Sequence, residues 1–263
     1  MSHASAVDYV DYFDRFSPVP EFLSRREKKR LRKQEKQVKN QQKEAVTRLN
    51  NIYPLTDGQK KTFEAFNQNK NLILHGVAGT GKTFISLYLA LEAVLAGRAP
   101  KPVVIIRSVV PTRDMGFLPG NMKEKAAVYE QPYAAICSDL VANKQNAYEH
   151  LKNRGIIEFS TTSFLRGLTF KNNTIIVDEC QNMTFHELDS VITRMGEGCR
   201  VIFCGDFRQS DLWRDDEKTG LNKFMSVVSR MKSFERVEFT KDDIVRSDVV
   251  KEYILAKLEE GII

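Results

Sequence analysis

Gly76-Val77-Ala78-Gly79-Thr80-Gly81-Lys82-Thr83 is the stretch from which the rest of the chain is read. An apolar run (Leu72, Ile73, Leu74) precedes it, and a helical stretch (Phe84, Ile85, Leu87, Leu89, Ala90, Leu91, Val94) follows. Strand, glycine-rich loop and helix in that order are the setting a phosphate cradle requires. Gly76, Gly79 and Gly81 let the backbone turn with no Cβ in the way, so successive N–H groups can point at one anion. The helix start at Lys82 adds unpaired N–H groups and the positive end of a dipole. Lys82 is placed to reach β- and γ-phosphates, and the Thr83 hydroxyl to bind Mg²⁺. The loop residues from Gly76 to Thr83, with Phe84 beside them, are the candidate nucleoside-triphosphate ligands.

Composition narrows the class. The chain has 263 residues, 42% of them hydrophobic, enough for one large core or two small ones. Its net charge of +6 is concentrated: residues 25–48 hold eleven Lys/Arg against three Asp/Glu, a net of +8, which leaves the rest at −2. The four cysteines (Cys137, Cys180, Cys199, Cys204) form no CxxC pair, which argues against zinc and for free thiols in a reducing compartment. No apolar run reaches membrane-spanning length, and the N-terminus lacks the basic-then-apolar layout of a signal peptide. The expectation is a soluble, cytoplasmic protein with no membrane partner.

A division follows the composition: an N-terminal arm and basic helix over 1–50, and a globular domain over 51–263. Residues 1–24 carry five aromatics and read as a docking arm or as a tail. Residues 25–48 form a charged helix that serves as a solvated face, a phosphate-backbone contact or a short coiled seam. Leu55-Thr56-Asp57-Gly58-Gln59 opens an amphipathic helix through Phe66 and Asn69. Gln59 stands seventeen residues before the loop, where a glutamine in many nucleic-acid translocases reads adenine. A surface glutamine without a role is the other reading.

Further apolar runs at 103–106, 156–159, 174–177, 201–204 and 236–239 read as strands, with helices over 124–150, 185–195, 220–231 and 249–258. Ile175-Ile176-Val177-Asp178-Glu179 describes a buried parallel strand delivering two acids to the carboxyl edge of a sheet. Asp178 would hold Mg²⁺ through its water shell, and Glu179 would orient the attacking water. Gly205-Asp206-Phe207-Arg208-Gln209 is a turn that sets the Gln209 amide near a γ-phosphate. Hydroxyls at 160–163 beside Arg166 suit a phosphate or a capped helix start. Arg246, read at the opening of the last helix, is a candidate to neutralise transition-state charge. Its alternative is a surface arginine paired with Asp243 or Asp248.

The combination GVAGTGKT (76–83), RSVVPTRDMGFLPGNMKEK (107–125), TTSFLRGLTF (161–170), IIVDECQN (175–182) and GDFRQSD (205–211) resembles the PhoH family of P-loop ATPases, and more distantly superfamily 1 helicases. Gly116 to Gly120 is the most family-specific stretch. The resemblance covers about 53–258 and implies ATP hydrolysis, with helicase-like action on RNA. It implies Lys82 and Thr83 as phosphate and Mg²⁺ ligands, Asp178 and Glu179 as hydrolytic carboxylates, and Gln209 as sensor. Two departures stand out. The family's Arg-Gly-Arg-Thr reads Arg166-Gly167-Leu168-Thr169 here, and the histidine after its terminal arginine is Ser247.

Alternating strands and helices imply an α/β fold, a RecA-like parallel sheet covered on both faces, with a basic helical extension. Superfamily 1 helicases bind ATP between two such cores, the second supplying an arginine. The sequence accounts for one, so a homo-oligomer is expected, with Arg246 or Arg166 acting in trans; the resemblance suggests a hexameric ring. Two functions fit: an ATP-driven enzyme acting on single-stranded RNA or DNA, and an ATP-gated oligomeric module without translocation. A small-molecule kinase fits less well, because Asp178-Glu179 and the Gly205–Gln209 turn belong to water-activating enzymes.

Overall fold

The computed structural model describes residues 47–108, 122–142, 145–165, 167–206 and 215–261. The N-terminal arm and nearly all of the basic helix (1–46), the segment 109–121, Arg166 and Gln209 lie outside the described residues. Each of the six apolar runs forms a strand: β1 (Asn71–Gly76), β2 (Val103–Arg107), β3 (Ile157–Thr161), β4 (Thr174–Asp178), β5 (Arg200–Gly205) and β6 (Phe234–Phe239). All pair in parallel, in the order β3-β2-β4-β5-β1-β6, so one strand separates β1 from β4. Between them run α1 (Asp57–Asn67), α2 (Lys82–Leu95), α3 (Met122–Leu140), α4 (Ala147–Asn153), α5 (Phe185–Thr193) and α6 (Asp215–Val228), with α7 (Asp248–Glu259) last. This is the parallel sheet flanked by helices that the sequence predicts.

Strand alternation builds two cores from the same strands. Leu72, Leu74, Val103, Ile105, Ile176, Ile202 and Cys204 face one way and pack with α1 to α4. Ile73, Val104, Ile106, Ile175, Val177, Val201 and Phe203 face the other way, against α5 and α6. Burying each such aliphatic side chain contributes about 1.5–3 kcal/mol, and a one-residue slip would exchange the two sets. The inner strands are therefore buried on both faces, while the edge strands β3 and β6 expose residues. Among the described residues no helix is long and apolar enough to cross a membrane.

Three sequence expectations are corrected. The helix expected over 124–150 is two: the chain leaves α3 after Leu140, Val141 bridges antiparallel to Leu49, and Asn146 takes a left-handed conformation (φ +53°) before α4. The helix expected to start at Gly220 starts at Asp215, with Gly220 inside it. A Cβ at Gly220 would lie 3.0 Å from that of Phe185, so this glycine marks close helix packing, not a boundary. Asp242 and Asp243 do not open the last helix; they belong to a separate one-turn 3₁₀ segment, Lys241–Asp243, and α7 begins at Asp248.

The end of β1 is constrained most tightly. Gly76 has φ +123°, and a Cβ there would lie 2.0 Å from the Phe239 carbonyl oxygen, which accepts the Val77 N–H (3.1 Å). Gly76→Ala is expected to cost about 3 kcal/mol or more by combining overpacking with a forbidden backbone angle. Gly97→Ala, also at positive φ but with nothing within 4 Å, should cost about 1 kcal/mol. Urea unfolding midpoints of the two variants, compared with the parent chain, test the difference.

Candidate functional site

The site grows from the carboxyl ends of β1 and β4. β1 runs into the glycine-rich loop, and Gly81 (φ +83°) caps the start of α2. The Lys82 side chain folds back over the loop, and its Nζ donates to the carbonyls of Gly76 (2.9 Å) and Val77 (2.8 Å) and to Thr80 Oγ1 (3.3 Å). Thr80, fully buried, donates in turn to the Val77 carbonyl (3.0 Å). Burial lowers the Lys82 pKa, while Asp206, Glu179 and Asp178 pull it the other way. Val77 is buried; Ala78 and Gly79 are half-buried. Phe84 is half-buried and packs against the α1–α4 core.

Alternation decides which side of the sheet Asp178 serves. It shares parity with Ile176 and so points toward α2 and α3, where two hydroxyls meet it. Thr83 Oγ1 donates to Oδ1 (2.7 Å) and the Tyr133 hydroxyl to Oδ2 (2.8 Å). Asp178 is only 4% exposed. Burial raises its pKa, and the neighbouring Glu179 adds to this; the Thr83 and Tyr133 hydrogen bonds and the charge of Arg107 oppose it. Register places Arg107 beside Asp178 and Thr161 beside Arg107, a polar row across β4, β2 and β3.

Glu179 turns the chain off the strand with φ +51°. Its Oε2 accepts from Gln181 Nε2 (2.6 Å), while Gln181 Oε1 accepts the Asp206 N–H (3.1 Å). One buried amide thus ties the ends of β4 and β5. Gly205 leaves it room, since a Cβ there would sit 2.7 Å from Gln181 Oε1. Sequence reading assigned no role to Gln181 and did not single out Tyr133. The position of Gln181, two residues after the acid pair, was the only signal for it, and Tyr133 offered none.

Three side chains stand differently from the sequence reading. Gln59 is no surface residue: it is 3% exposed, donating to the Thr80 carbonyl (3.1 Å) and accepting the Leu55 N–H (2.8 Å). Arg246 lies in the link before α7, against the loop of its own chain. Val245 N–H donates to the Gly79 carbonyl (3.1 Å), and a Cβ on Gly79 would be 2.9 Å from Arg246 Cγ. The expected Asp243 partner is committed elsewhere, accepting from the N–H groups of Gly58 and Thr240 at 2.8 Å each. Of the hydroxyls at 160–163, which suited a phosphate or a helix start, Thr162 donates to Glu187, which also accepts from Ser108 (3.1 Å), and a carboxylate there disfavours an anion. Arg166 and Gln209 lie outside the described residues.

Comparison with known proteins identifies a family. A family model described as PhoH-like protein matches residues 51–257. A PhoH-like protein of Bacillus subtilis (strain 168) is 32% identical over 201 residues, covering 76% of this chain and 62% of its own length. Protein PhoH of Escherichia coli (strain K12) is 30% identical over 243 residues, covering 85% and 68%. The chain thus spans about three fifths of the length of several curated relatives it matches. Among solved structures, the large terminase from a thermophilic bacteriophage (12% identity, TM-score 0.47) aligns over 76% of this chain and 50% of its own. Bacteroides Pif1 bound to ssDNA (18% identity, TM-score 0.42) aligns over 79% and 46%. With a glycine-rich loop on β1, an acid pair on β4 and a family match over most of its length, the chain belongs to the PhoH-like protein family.

Proposed function

We propose that this site binds ATP with Mg²⁺ and hydrolyses it, and that turnover is coupled to single-stranded RNA or DNA. The observation that carries the reading is the 2.7 Å contact between Thr83 Oγ1 and Asp178 Oδ1 at the foot of the loop that Lys82 spans. A threonine hydroxyl that spends its proton on a carboxylate keeps its lone pairs for a cation. Hydroxyl and carboxylate oxygens are also the hard donors Mg²⁺ prefers. Bound there, the ion would neutralise charge on the β- and γ-phosphates.

The chain's own groups account for the remaining work. Lys82 exchanges the Gly76 and Val77 carbonyls for phosphate oxygens, and the loop amides take the rest of the polyphosphate. Glu179, oriented by Gln181, accepts a proton from water as its oxygen attacks the γ-phosphorus and the bond to the β-phosphate oxygen breaks. Arg246 stands over Gly79 in cis and offers charge to the same phosphates. Because its side chain is exposed, the same arginine also fits the reading in which a neighbouring copy of a homo-oligomer, such as a hexameric ring, receives it in trans. Gln59 acts through the Thr80 carbonyl on the loop, and adenine would meet whatever hydrogen-bonding capacity its amide retains. Support for the nucleic-acid half comes from the net +8 of residues 25–48.

ATP turnover with and without RNA and DNA oligonucleotides at two salt concentrations tests the whole. Stimulation that weakens with salt is expected, and Lys82→Ala should lose about a hundredfold or more of the rate. Turnover indifferent to nucleic acid would favour an ATP-gated binding module. Gln181→Ala should lower kcat roughly tenfold to a hundredfold with little change in KM, because Glu179 loses its orienting partner. Mixing Arg246→Ala with Lys82→Ala subunits should regain part of the activity if the arginine acts in trans in a homo-oligomer; no recovery would assign it to the site of its own chain.

A further inference from the structure

Tyr133 is, among the described residues, the largest fully buried side chain, at 1% exposure, and belongs to no motif read from the sequence. Its ring packs on Phe159 with centroids 5.8 Å apart. Packing alone would be served by phenylalanine; what tyrosine adds is one proton donor, and it is aimed at Asp178 Oδ2. The opposite oxygen takes Thr83. A carboxylate held at both oxygens cannot rotate about its Cβ–Cγ bond without losing a hydrogen bond in a water-poor site. Arg107, the strand neighbour of Asp178, approaches the Tyr129 ring to 6.0 Å and so lies against the same helix.

We propose that Tyr133 is a positioning residue for the metal site: its hydroxyl fixes the plane of the Asp178 carboxylate so that Oδ1 faces Thr83 and the cation. The assignment rests on the ATP–Mg²⁺ reading above and makes α3 an input to that site. Tyr133 touches neither nucleotide nor metal. Its removal therefore acts on the cation and leaves the grip on the phosphates alone.

The test is Tyr133→Phe, read as Mn²⁺ binding by electron paramagnetic resonance in the presence of ADP. A fluorescent ADP analogue titrated in EDTA is the companion measurement. Mn²⁺ affinity should fall about tenfold, as expected for loss of a group that orients a metal ligand. Metal-free nucleotide affinity should stay unchanged, and kcat should recover at high Mg²⁺. On an Asp178→Asn background the same substitution should have little further effect on Mn²⁺. Equal Mn²⁺ affinity in parent and Tyr133→Phe, or an undiminished effect on the Asp178→Asn background, would overturn the positioning role alone. A parent chain with no metal-dependent nucleotide binding would overturn the ATP reading and this inference together. If Tyr133→Phe does not fold, 3-fluorotyrosine at position 133, a stronger donor of nearly the same shape, should tighten Mn²⁺ binding; no change would refute the assignment.

Discussion

A strand can send only every second side chain to a given face, and this constraint positions the chemistry of the chain. β4 must bury Ile176 on the α2 side and Ile175 and Val177 on the α5 side to keep both cores filled. Asp178 is thereby committed to the α2 side before any functional consideration enters. Thr83 and Tyr133, on helices packed over that face, are the side chains that can meet it. Glu179, next in sequence, would point away if the strand continued. The left-handed conformation at Glu179 breaks the alternation and lets two adjacent acids serve one site. Such a conformation costs a non-glycine residue about 1–2 kcal/mol, and it persists where surrounding structure over-determines it. Here the Gln181 amide, anchored on β5 through Asp206, holds the side chain of the turned residue.

The polar groups of the site satisfy one another. Lys82 is bonded to loop carbonyls, Thr83 and Tyr133 to Asp178, and Gln181 to Glu179. A site so closed upon itself limits the desolvation cost of its buried groups. Under the proposed reading, an incoming triphosphate would compete with the Gly76 and Val77 carbonyls for one ammonium. The exchange favours phosphate because the carbonyls are neutral acceptors and the phosphate oxygens are charged, which roughly doubles the strength of each hydrogen bond. Burial lowers the pKa of that ammonium, and the charges of Asp206, Glu179 and Asp178 oppose the shift.

How much of this could be read in the sequence depended on the range of the interaction. The loop and the acid pair were legible because their signals are local: glycines at fixed offsets, then acids ending an apolar run. The order of strands was not, since register across β4, β2 and β3 is set by packing between residues far apart in the chain. Tyr133 was illegible for the same reason; forty-five residues separate it from Asp178, and nothing near it distinguishes a phenol needed for its proton from one needed for its ring. Gly220 was misread because glycine ends helices and also lets helices approach, and only the nearness of Phe185 separates the two. Asp243 was read as a charge for an arginine, whereas it caps backbone N–H groups at two sequence positions far apart.

That last misreading bears on where Arg246 belongs. Asp243 joins the N-terminus of α1 to the 3₁₀ turn after β6, and Gln59 joins the same α1 to the Thr80 carbonyl. Val245 then closes the circuit by donating to Gly79, with Ile244 and Ile254 packed on Val77. The phosphate loop is thus clasped from one side by α1 and from the other by the link into α7, both anchored through one carboxylate. Asp243 keeps its pKa low despite burial because hydroxyl and backbone N–H donors hold its charged form. An arginine delivered by a segment hydrogen-bonded to the loop backbone moves with that loop. Arg246 itself is exposed beside Gly79, so its reach is set by its long side chain and not by that backbone bond. The covalent neighbours of Arg246 thus tie its backbone to the loop, while the subunit whose charge it would meet is decided by what packs against that exposed side chain.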